Sequence, residues 1–63
     1  MPTEIYFDSD SAPLTVTAEQ AQVEDTLLQA RSSGQLARFE EYARGRAVGV
    51  NPEQVAYIAA SET

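Results

Sequence analysis

No cysteine and no histidine occurs in these 63 residues, so neither a disulfide nor a Cys/His-bound metal can staple a small core. A chain of this length lies near the lower limit for folding unaided. Apolar residues make up 43% of it, 27 in number, but ten of those are Ala, which leaves seventeen larger side chains to build the core. A core of that size supplies roughly 3–5 kcal/mol of net stability. Residues 1–63 are therefore expected to form one small domain that is either marginally stable or gains burial by pairing with a second copy.

The same composition narrows the chemistry. With no His, Cys, Lys or Trp, the usual proton shuttle and the thiol and amine nucleophiles are missing. Ten acidic residues against four basic ones give a net charge of −6, a field that repels phosphate backbones and anionic membranes. No stretch approaches the ~20 apolar residues that span a bilayer. Met1-Pro2-Thr3-Glu4 does not open a basic-then-apolar signal segment, so a cytoplasmic location is the expectation. All four basic residues are Arg, whose planar fork of donors suits carboxylates and interfaces.

Alternation predicts a first strand over residues 3–8, with Ile5 and Phe7 on one face and Glu4, Tyr6 and Asp8 on the other. The turn-forming run Asp8-Ser9-Asp10-Ser11-Ala12-Pro13 leads to a second short strand over 14–17, making a hairpin. Thr17-Ala18-Glu19-Gln20 fits a capping box, and Val23, Leu27 and Ala30 then stripe a helix expected from Ala18 to about Ser32, flanked by Ala21 and Leu28. Gly34 is placed for a left-handed stop. A third strand over 37–42 and a fourth over 47–50 flank a turn in which Gly45 supplies positive φ. Leu36 falls outside the alternation of the third strand and is expected to pack at its entrance. Asn51-Pro52-Glu53-Gln54 reads as a capped helical turn, Val55 to Ala60 as a fifth strand, and 61–63 as a frayed end. The order is ββαββ(β). It describes an α+β fold in which a four- to five-stranded, mostly antiparallel sheet carries one helix on one face.

The run Arg46-Ala47-Val48-Gly49-Val50-Asn51-Pro52-Glu53-Gln54-Val55-Ala56-Tyr57-Ile58 follows a strand-strand-helix-strand unit. It resembles the C-terminal half of short actinobacterial proteins of unknown function, which end in a strand, a polar turn and a V/I-A-Y-V/I strand. The resemblance covers most of the chain in order of elements and rests, residue by residue, on Val55-Ala56-Tyr57-Ile58 and the hairpin before it. It implies a bacterial chain of this fold and carries no catalytic residue.

Several residues invite a functional reading. Asp8 and Asp10 have the D-x-D spacing that opens a calcium loop, but Pro13 and Leu14 fall where a turn glycine and ligands are needed, so two Asx turns are expected instead. Glu40 and Glu41 are neighbours in a strand and point to opposite faces, which rules out a paired acid and base. Glu41, on the inward parity, is placed to meet Arg44 or Arg46. Arg38, Arg44 and Arg46 bracket Tyr42 on one hairpin, while Tyr6 lies on the sheet face that a single helix leaves uncovered. Arg and Tyr are common anchors of interfaces.

The expectation is a non-enzymatic module with no cofactor and no metal. It would bind a protein partner or itself, as a homodimer, through Tyr6, Arg38, Tyr42, Arg44 and Arg46 or through a free sheet edge. The alternative is a nucleic-acid-associated regulator using Arg38, Arg44 and Arg46.

Overall fold

The computed structural model describes residues 1–9 and 11–61. Its elements run β1 (Thr3–Phe7), β2 (Leu14–Val16), α1 (Gln20–Ser33), β3 (Ala37–Glu40), β4 (Ala47–Val50), a 3-10 turn (Pro52–Gln54) and β5 (Val55–Ala60). This is the α+β fold that the hydrophobic pattern describes, with five strands and one helix.

The strands divide into two small antiparallel sheets, one of order β2-β1-β5 and one of order β3-β4. In the first, Ile5 pairs with Leu14 on one side and with Ile58 on the other, and a bulge between Tyr6 and Phe7 shifts the far end of the β1–β5 register. Among the described residues a single bridge, Val16 with Glu41, joins the two sheets. Around it the Thr17 N–H donates to the Glu40 carbonyl at 3.0 Å and the Tyr42 N–H to the Thr15 carbonyl at 2.8 Å. The chain thus curls at one contact point where the sequence pattern suggested one continuous sheet.

The core lies between this curled sheet and α1. Ile5, Val16 and Val23 are wholly buried, and Ala30, Ala37, Phe39 and Val50 complete the cluster. Leu27, expected on the central helical stripe, is only half-buried, and Leu28 on its flank is 60% exposed. The helix contributes small residues to the core and keeps its two Leu at the margin. Leu36 leans across Gly49: a Cβ placed at Gly49 would come within 3.2 Å of the Leu36 Cδ1. That contact explains a glycine inside β4.

Both ends of α1 are specified, though one differs from expectation. At the C-terminus Gly34 takes φ 67°, and the Gln35 N–H reaches back to the Ala30 carbonyl at 2.9 Å, closing the helix in the left-handed manner that only Gly adopts freely. At the N-terminus the Thr17 capping box does not form. The helix starts at Gln20 with Glu19 as its cap residue and without a side-chain cap, because Thr17 is held by β3: its hydroxyl donates to Glu40 Oε1 at 3.3 Å. The Glu19 carboxylate turns instead to the Met1 amino group.

Two polar residues are buried with partners. Thr3 is fully buried and its hydroxyl donates to the Ala18 carbonyl at 2.8 Å, tying β1 to the approach of the helix. Ser61, expected to fray, is buried, and its N–H donates to the Pro2 carbonyl at 2.9 Å, extending the β1–β5 ladder by one pair. The 3-10 turn is capped as its sequence implies, the Asn51 side chain accepting from the Glu53 N–H at 3.0 Å.

Candidate functional site

The outer face of the three-stranded sheet is the most chemically distinctive surface. Tyr6 and Tyr57 sit directly opposite each other on β1 and β5, and their rings stack with centroids 4.5 Å apart and planes 11° from parallel. A direct cross-strand aromatic pair is the sheet's own way of stabilising a water-facing side. Glu4 and Thr15 are partners on the same face, and Tyr42 extends it beyond β2, since the Tyr42 N–H bonds to Thr15. Tyr42 and Tyr57 are each more than half exposed. Three tyrosines therefore occupy the side of the sheet that α1 does not cover.

The Tyr6 hydroxyl donates to Glu4 Oε1 at 2.9 Å. That bond holds the phenol in its neutral form and raises its pKa above 10.0; partial burial and the charge of the Glu4 carboxylate act in the same direction. The sign follows. The folded state favours protonated Tyr6, so this contribution to stability is fully present below pH 10 and is lost as pH rises through the folded value. In an alkaline titration followed by tyrosinate absorbance, Glu4→Gln is expected to move Tyr6 ionisation to lower pH. An unchanged curve would show that the bond is not the cause.

The arginines are distributed rather than gathered. Arg46 Nε meets Glu41 Oε1 at 2.7 Å, the pairing anticipated for the inward Glu41, whose side chain is only 17% exposed. Arg44 lies in the exposed turn before Gly45, which takes φ 66° there. Arg38 projects from β3 beside α1, next to a shallow depression that Gln22, Thr26 and Glu40 also line. Tyr42, Arg44 and Arg46 thus share one turn. Tyr6 lies across the first sheet from them, stacked on Tyr57, and Arg38 stands near the helix.

A second feature is the margin of β5. A cleft of about 170 Å³ runs between α1 and β5, lined on the apolar side by Leu27, Leu28, Val55 and Ile58 and flanked by Glu24 and Arg31. A wider depression of about 400 Å³ lies between the end of α1 and the 3-10 turn, lined in part by Arg31, Gln35, Asn51 and Glu53. Among the described residues no group of three His, Cys, Asp or Glu side chains is gathered to hold a metal ion, and no helix is long and apolar enough to cross a membrane. Asp10, half of the D-x-D pair, lies outside the described residues. The sequence reading put weight on Tyr6 and the Arg hairpin. The sequence leaves the facing of Tyr57 open and places Leu28 on the flank of the core stripe.

Comparisons with protein-family models, with curated proteins and with solved structures find no match to this chain.

Proposed function

We propose that this chain is a non-enzymatic protein-interaction module. One observation carries the reading. β5 ends its sheet without a neighbour among the described residues, and exposed Tyr57 on one face and Leu28 beside the other border that free edge. A free strand edge supplies main-chain hydrogen bonds to a partner, and flanking apolar side chains supply selectivity. Large side chains left in water by a domain short of core mark where a partner adds burial. Tyr6, Tyr42 and the Arg38, Arg44 and Arg46 side chains extend the contact surface beyond the edge.

The test is a pull-down with the tagged chain from native lysate, with and without nuclease, in the presence of an untagged copy. Recovery of a defined protein, the untagged chain included, that survives nuclease and is lost in Leu28→Glu is the expected result. Recovery that depends on nucleic acid and weakens steeply with salt would overturn the reading in favour of a phosphate-binding role for Arg38 and Arg44.

A further inference from the structure

Among the described residues the edges of β4 and β5 have no strand beside them, while those of β2 and β3 meet around the Val16–Glu41 bridge. Natural edges are guarded by brevity, charge, Pro or bulges. The β4 edge has such guards: it is four residues long, contains Gly49 and follows Arg46. β5 is six residues long and reads Val-Ala-Tyr-Ile-Ala-Ala, with neither a charge nor a Pro in it. Its one bulge lies near its start, where Phe7 pairs with Val55. From Tyr57 onward the edge is regular and unguarded.

The cleft beneath that edge says what fits it. Glu24 and Arg31 stand two helical turns apart, about 10 Å, with Leu27 and Leu28 between them. Arg31 also borders Asn51, Pro52 and Glu53, which places it at the β5 entrance and Glu24 toward the other end of the cleft. Along the strand the cleft reads positive, apolar, negative. A two-fold copy presents the same series reversed, so Arg31 of each copy faces Glu24 of the other and the leucines meet between them. A peptide of one charge complements only one end.

The outer face agrees. The Ser61 N–H bonds to Pro2, so in the antiparallel alternation Ser61, Ala59 and Tyr57 direct their backbone polar groups toward β1, while Ile58 and Ala60 direct theirs to the open edge. A two-fold axis at Ile58 lets the two Ile58 residues exchange both hydrogen bonds. It also sets each exposed Tyr57 against the small Ala59 of the second copy, a large side chain over a small one on both sides of the axis.

We propose that the chain forms a two-fold dimer by antiparallel pairing of β5 with β5 of a second copy, in register at Ile58, with the α1 clefts merging beneath the seam. This rests on the interaction-module reading and names its partner. The product is a continuous six-stranded sheet whose outer face carries two Tyr6–Tyr57 stacks, and both β5 edges are consumed.

Because the chain has no cysteine of its own, the register is directly testable. In this pairing residues 57 and 59 of opposite copies form a non-hydrogen-bonded pair, whose Cα atoms lie about 4.5 Å apart, within disulfide range. The double variant Tyr57→Cys/Ala59→Cys is expected to oxidise to a covalent dimer. Wild type should sediment as a dimer. Leu28→Glu, at a position exposed in the single copy, should keep its circular dichroism while its dimer Kd rises about tenfold or more. Glu24→Arg and Arg31→Glu should each weaken the dimer, and together restore it. Wild type that stays monomeric up to about 1 mM, a dimerisation too weak to matter, would overturn the proposal, as would a dimer whose cysteine variant does not cross-link. A monomer that still captures a different defined protein would leave the interaction reading standing. A monomer that captures nothing would remove both.

Discussion

Phe39→Ala is expected to leave the chain largely unfolded at room temperature. Phe39 is only 8% exposed and lies in β3 between Ala37 and the bridge to the first sheet, within the cluster that includes Val16, Val23 and Val50. Removing a buried Phe ring costs about 3–5 kcal/mol, part in lost transfer energy and part in the cavity left behind. A domain this size, without disulfide or metal, holds roughly 3–5 kcal/mol in total. The neighbouring core cannot close the gap cheaply, because Ala30 and Ala37 already bring backbone close and have no further side chain to move in. Leu27→Ala is the informative contrast. Leu27 is half-buried at the cleft, so part of its surface is wet already, and its loss should cost the single copy clearly less than Phe39→Ala. Urea unfolding followed by circular dichroism measures both. Equal midpoints for the two variants would show that the core is not centred on β3.

That contrast also shows what could be read from the residues and what could not. Period-two alternation placed β1 and β3, where inward Ile5, Ala37 and Phe39 alternate with outward polar residues. By contrast, β5 was legible only as an apolar run after a capped turn. Gly34, Gly45 and Asn51 announced their turns by chemistry that few other residues share, and each takes the expected conformation or cap. Parity placed Glu41 inward beside the Arg turn and left Arg44 and Arg46 as candidate partners, of which the structure shows Arg46. Tertiary competition was not legible. Thr17 has the spacing of a cap, but the same hydroxyl and amide serve the β2–β3 junction, and a local motif cannot show a partner 23 residues away. Leu27 looked equivalent to Val23 on a helical wheel, with Leu28 on the flank of the same stripe. Their exposure depends on where the sheet stops, and it stops at β5, beyond which no strand pairs among the described residues.

The candidate surface was half visible for a related reason. Tyr6 was placed outward by its alternation with Ile5, and the structure adds its stacking partner, Tyr57, from the other end of the chain. Tyr57 and Ile58 alternate too, yet alternation alone does not say which of them faces in. The register Ile5 with Ile58 decides it, and with it the identity of the free edge.

Val16→Asp should unfold the protein at neutral pH and let it recover as the pH falls. Val16 is wholly buried and sits at the centre of the junction between the sheets, bridged to Glu41 just past β3. A carboxylate there loses its water and has the half-buried Glu41 as its bridge partner, a like charge. Both effects favour the neutral acid, so the folded pKa of the new Asp lies above its unfolded value of about 3.9. The sign is then fixed. The penalty is absent below about pH 3.9, where the Asp is protonated in both states, and grows as pH rises through that value. At pH 7 an unpaired buried carboxylate costs several kcal/mol, enough to exceed the roughly 3–5 kcal/mol available. Val16→Thr keeps the shape and carries no charge, so its smaller loss should not vary with pH. A Val16→Asp protein that remains folded at pH 7, by circular dichroism and by resistance to proteolysis, would mean that the junction at Val16 opens to water. The two sheets would then fold as separate units and not as one cooperative core.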